Sequence, residues 1–131
     1  MPTAHVAFLK QAKPWLVWDD RIFVHGGFDP RQPIEAQHVS ALVFDRELMI
    51  YAYRLNAISP EKQISMYKEI YLGHTPTTSL GVSIPLKLCN VWAMDTGAGW
   101  QGKLTIMDVS TKEYWQSDPT PQLYGMPGRT R

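Results

Sequence analysis

Two spacings alternate along the chain, one of three to four residues and one of two. Val6, Phe8, Leu9 and Ala12 recur at helical spacing after Thr3, a candidate cap, and the run should stop before Pro14. Trp15–Trp18 and Arg21–Val24 are apolar, β-branched and aromatic runs separated only by Asp19-Asp20, which predicts a hairpin ending at His25-Gly26-Gly27. Phe28 to Pro33 reads as loop. From Glu35 to Leu55, Val39, Leu42, Val43, Leu48, Met49, Ala52 and Tyr53 repeat at three and four, predicting one amphipathic helix. Ser59-Pro60-Glu61-Lys62 has the cap and first-turn proline of a further short helix. Glu69–Leu72 predicts a strand running into Gly73-His74-Thr75-Pro76, with a loop over 77–86 after it. Leu88–Met94 predicts a strand ending at Asp95-Thr96-Gly97, and Lys103–Val109 with Glu113–Gln116 a closing hairpin. Beyond Ser117, Pro119, Pro121, Gly125, Pro127 and Gly128 predict an extended tail.

This is an α/β (α+β) pattern of one compact domain, since 131 residues are too few for two. Thirteen basic against twelve acidic residues leave a net charge of +1, without the basic stripe of a nucleic-acid or membrane-surface binder. No apolar run approaches the roughly 20 residues of a membrane span, and Met1 to Gln11 lack the form of a signal peptide. The single cysteine, Cys89, lies among Leu86, Leu88, Val91 and Trp92, as a buried thiol would. A cytoplasmic location is the resulting expectation.

Three strands are predicted to end in polar, glycine-bearing loops: His25-Gly26-Gly27, Gly73-His74-Thr75 and Asp95-Thr96-Gly97. Ligands of open α/β sheets collect beyond the carboxyl ends of strands, so these endings are expected to converge. Two imidazoles delivered there could ligate a divalent metal, although a stable site wants a third protein ligand; structural histidines are the plain alternative. Arg46 offers a fork of donors suited to phosphate, or belongs to a solvated helix face beside Asp45 and Glu47. Asp95 suits a ligand or base less well than a turn carboxylate bonded to backbone N–H groups. His5 and His38 have no matching context and read as ordinary surface or partly buried residues. The five tryptophans read as core or core edge.

Arg21-Ile-Phe-Val-His25-Gly-Gly-Phe-Asp-Pro30 resembles the histidine–glycine–glycine motif of the serine/threonine phosphoprotein phosphatases, calcineurin-like metallophosphoesterases. Gly73-His74-Thr75-Pro76 is similar to the later glycine–histidine motif of their bacterial and phage members, and Leu42-Val-Phe-Asp-Arg46-Glu to the segment that places a phosphate-binding arginine. Asp95 to Thr105 is similar to their final strand–turn–strand and to that of the bacterial dinucleoside tetraphosphate hydrolases. The four motifs stand in the family's order across residues 15 to 109.

The resemblance implies the second half of a two-sheet sandwich flanked by helices, over residues 1–117, with 118–131 as a tail. It implies that His25 and His74 bind one of two divalent metals (manganese, iron or zinc), that Arg46 holds the substrate phosphate, and that a metal-held water attacks phosphorus. The substrate would be a phosphorylated protein or a small phosphate ester. The family's aspartate–x–histidine, glycine–aspartate–x–x–aspartate–arginine–glycine and glycine–asparagine–histidine segments are absent from these residues, and with them the bridging carboxylate and the general acid. The expectation is therefore a fragment with an incomplete catalytic set, inactive on its own. Its sheet face would be uncovered, inviting the missing N-terminal half or self-association. A dinucleoside polyphosphate hydrolase and a non-catalytic module are the alternatives.

Overall fold

The computed structural model describes residues 2–124. These form a mixed α+β fold with a five-stranded sheet, a separate two-stranded sheet and, among the described residues, four α-helices.

The first hairpin is as expected: β1 (Trp15–Trp18) pairs antiparallel with β2 (Arg21–Val24), Trp18 opposite Arg21. Asp19 and Asp20 both take positive φ, +50° and +57°, which gives the two-residue turn the twist that hairpin strands need. Next to β2, and parallel to it, lies β3 (Glu69–Leu72), followed by a parallel β5 (Val91–Ala93) and an antiparallel edge strand β4 (Leu86–Leu88). The small sheet pairs β6 (Thr105–Met107) with β7 (Tyr114–Gln116).

Strand pleating separates two sheet faces. Ile22, Ile70 and Val91 form one row and Val24, Leu72 and Ala93 the next, all buried. Against them pack Leu42 of α2 (Val39–Phe44) and Leu48, Met49 and Ala52 of α3 (Glu47–Asn56). Phe23, Tyr71 and Trp92 form a ladder on the opposite face, with Phe23 and Tyr71 stacked at 4.8 Å between centroids and Tyr71 and Trp92 at 6.5 Å. The β6–β7 hairpin reaches over that face through Lys112, and Leu16 and Trp18 at its margin stay half exposed.

The same hairpin locks onto the sheet through a charge cluster. Lys112 Nζ lies 2.7 Å from both Glu69 carboxylate oxygens, while Arg21 Nε donates to Glu69 at 2.6 Å and the Tyr71 hydroxyl at 3.0 Å. Burial opposes ionisation of Glu69, but the bonds from Lys112, Arg21 and Tyr71 outweigh it and hold its carboxyl at about 2. Burial first, and that carboxylate second, push the Tyr71 phenol upward.

Several expectations are corrected. The segment 35–55 is not one helix: a 3-10 turn (Ile34–Ala36), α2 and α3 share it, and Asp45 is extended at ψ 141°. The break follows from Asp45 itself, whose side chain accepts the Leu48 N–H at 3.1 Å and so competes with helical continuation. Thr3 is the first residue of α1 (Thr3–Lys10) and not its cap, a position held by Pro2. Ser59–Lys62 closes only a turn, Lys62 N bonding Ser59 O, and the nearby Ile58 and Met66 are left exposed, so no apolar helix face is buried there. Leu88–Met94 is divided by a tight turn at Cys89-Asn90, where Cys89 adopts φ +56° and lets β4 fold back on β5. The 77–86 loop contains a 3-10 turn (Thr77–Leu80) closed by Gly81 at φ +83°. Part of the expected extended tail is helical, α4 (Thr120–Tyr124); residues 125–131 lie outside the described region.

Candidate functional site

The three strands with polar endings, β2, β3 and β5, are adjacent and parallel, so their carboxyl ends open on the same side of the sheet. His25 stands one residue beyond Val24 and His74 two residues beyond Leu72, the position paired with Val24, and their rings lie 5.2 Å apart at 59°. His74 reaches this place through a left-handed backbone, φ +62°, uncommon outside glycine but more tolerated by histidine than by branched residues.

Arg46 arrives from the break between α2 and α3, not from a helix face. Its Nε lies 3.4 Å from His74 Nε2, and with Arg46 as donor that nitrogen carries the lone pair. Phe44 packs edge-on against the same imidazole at 6.1 Å. Desolvation lowers the His74 pKa first; Arg46 and His25 lower it further, against the raising influence of Asp95 and of the Phe44 carbonyl.

The glycines explain how the corner comes so near. A Cβ on Gly26 would fall 2.7 Å from the Val43 carbonyl carbon, 2.8 Å from its oxygen and 2.9 Å from Asp45 N, all backbone atoms. Gly26 N also donates to Leu42 O at 2.7 Å. On Gly27 a Cβ would meet the Asp45 carboxylate at 2.3 Å. Thus His25-Gly26-Gly27 is a seat for the α2–α3 corner, and the corner carries Arg46. Gly73 is different: its added Cβ would find nothing nearer than His25 O at 3.4 Å, an ordinary contact, so close approach does not require glycine there.

Asp95 serves its turn. Its Oδ1 accepts Gly97 N–H at 2.9 Å and its carbonyl accepts Thr77 N–H at 2.8 Å, while Gly97 takes φ +86°. His38 accepts the Ser40 N–H at the start of α2, and His5 is exposed on α1. Asp45 is the residue that sequence reasoning undervalued. More than a neighbour of Arg46 on a helix face, it ends α2, caps the first turn of α3 and lies over Gly27. An aspartate three residues before an apolar helical position is the signal that could have found it.

A divalent metal fits this donor set poorly. A 5.2 Å ring separation suits two imidazoles facing one ion, but among the described residues no group of three His, Cys, Asp or Glu could hold one. Arg46 also places a cation on the nitrogen that would ligate it. What the residues do offer is a concentration of donors and positive charge around an open strand end.

Beside His25 a cleft of about 650 Å³ runs across the aromatic sheet face, lined by Trp15, Leu16, Phe23, Tyr71, Met94 and Met107 among others. No family model matches the chain, and no curated protein matches it. No helix among the described residues is long and apolar enough to cross a membrane.

Proposed function

We propose that the chain carries the phosphate-holding part of a phosphoesterase site of the metallophosphoesterase kind. Phosphate monoesters, of proteins or small molecules, are its ligand class. The observation that supports this reading best is the placement of Arg46 Nε 3.4 Å from His74 Nε2, with the His25 ring 5.2 Å from that of His74. Three segments far apart in sequence bring one guanidinium and two imidazoles together at parallel strand ends. A phosphate dianion placed among them accepts charge-assisted hydrogen bonds from Arg46 and from whichever imidazole nitrogens are protonated. It also offsets the repulsion from Arg46 and His25 that, after desolvation, lowers the His74 pKa. Metal-activated hydrolysis needs donors beyond those described here, so these residues bind phosphate without turning it over. A non-catalytic binding module is a second reading, favoured by the same shortage of carboxylate donors.

Titration calorimetry with inorganic phosphate at low ionic strength tests the reading. Saturable binding is expected, weakened about tenfold or more by Arg46→Ala, the loss of one charged hydrogen-bonding group being about 1.5–3 kcal/mol. Equal affinity of wild type and Arg46→Ala would remove Arg46 from the site. Hydrolysis of p-nitrophenyl phosphate with manganese is expected to stay at background; activity that disappears in His25→Ala would show a complete catalytic set.

A further inference from the structure

We infer that the ligand is a phosphate monoester of an aromatic alcohol, its phosphate at Arg46 and its ring in the cleft beside His25; this rests on the phosphate-holding reading above. His25 is the link. Just past the end of β2, it lines the cleft together with Phe23, and its ring is also the neighbour of His74. Cleft and cation cluster therefore share His25, and a molecule held by its phosphate at Arg46 can lay its remaining atoms along the cleft.

The cleft walls select among alcohols. Phe23 and Tyr71 are stacked on each other at 4.8 Å and 15° and present apolar ring edges to the cleft, and Met94 and Met107 supply thioethers. Thioethers contact aromatic rings favourably and adapt to their outline. At about 650 Å³ the space accommodates one or two fused rings with room for solvent. Lys13 stands with the lining residues, but the Tyr71 hydroxyl is already committed to Glu69 and Lys112. A sugar or glycerol moiety would give up water for walls that return few hydrogen bonds, which costs affinity.

Inorganic phosphate, 2-naphthyl phosphate and glycerol 3-phosphate titrated into the intact chain at one ionic strength separate the possibilities. Naphthyl phosphate is expected to bind about tenfold tighter than inorganic phosphate, consistent with partial burial of the ring, and glycerol 3-phosphate no tighter. Leu16→Gln, at a position already half exposed, and Met107→Gln should each cut the naphthyl preference. Arg46→Ala should weaken both ligands together. If inorganic phosphate binds through Arg46 but the naphthyl ester gains nothing, the aromatic assignment is overturned and the phosphate site stands. If no ligand binds in an Arg46-dependent way, both fail. Naphthyl binding that survives Arg46→Ala also overturns the assignment, because the cleft would then act without the phosphate.

Discussion

Replacing Gly26 by alanine tests the mechanism that delivers Arg46. The added Cβ would lie 2.7–2.9 Å from Val43 C, Val43 O and Asp45 N, below any ordinary carbon contact. Because those atoms are backbone, no rotamer change relieves the overlap; β2 and the α2–α3 corner must separate. Overpacking of this kind costs about 1–3 kcal/mol. Separation also stretches the 2.7 Å bond from Gly26 N to Leu42 O, worth about 1 kcal/mol more. The expected loss is therefore about 3 kcal/mol, a fall in Tm of roughly 10 °C for a domain of this size. Gly73→Ala is the control, since its Cβ would meet nothing closer than 3.4 Å and should cost under about 1 kcal/mol. Urea melts of the two variants give the comparison, and the displaced corner should also weaken phosphate binding in Gly26→Ala. If Gly26→Ala proves as stable as Gly73→Ala, the glycine pair is not the seat described here.

Glu69→Gln removes the negative charge, and one of the two acceptor oxygens, shared by Arg21, Lys112 and Tyr71. The expected loss at pH 7 is about 1–2 kcal/mol, below that of a fully buried pair because solvent reaches the cluster. With the folded carboxyl at about 2 and the unfolded one at 4.5, this stabilisation is complete above pH 4.5 and disappears as pH falls toward 2. Melting curves of wild type and Glu69→Gln should converge across that window, and a gap undiminished at pH 3 would refute the assignment. Asn90→Ala deletes bonds to Ile64 N at 2.7 Å, Ile64 O at 3.0 Å and Tyr67 O at 2.9 Å, for an expected loss of about 2–3 kcal/mol. Amide exchange should quicken first over residues 57–68, and unchanged protection there would count against Asn90 as the pin of that loop.

The sequence made the sheet's interior legible and its corners much less so. Strands such as Arg21–Val24 and Glu69–Leu72 announce themselves by runs of β-branched and aromatic residues, and both stand where those runs predict. The convergence of the polar strand ends was likewise readable, because all three runs stop in polar, glycine-bearing segments where strand carboxyl ends gather ligands. Corners were decided by single side chains competing with the backbone. Asp45 breaks a helix that every apolar position around it supports, by taking the Leu48 N–H for its own carboxylate. Cys89-Asn90 turns a chain that carries no glycine or proline at that point, and the long-range bonds of Asn90 are invisible until Ile64 and Tyr67 are in place. Such bonds join residues more than twenty positions apart, beyond the reach of any local pattern.

The break at Asp45 alters the meaning of Arg46 as well. On a continuous helix Arg46 would be one more solvated cation with Asp45 and Glu47 beside it. In the folded chain Asp45 has turned away to cap α3 and sit over Gly27, leaving the guanidinium against His74. The result is a local excess of positive character, registered in the depressed basicity of His74, whose causes after desolvation are Arg46 and His25. Arg46 is exposed and free to swing into water, so its position next to two imidazoles adds little to the fold. An anion bound there would attract each of those groups and offset the repulsion between them. It follows that phosphate should raise Tm in proportion to its occupancy of the native state, and should do so only while Arg46 is present.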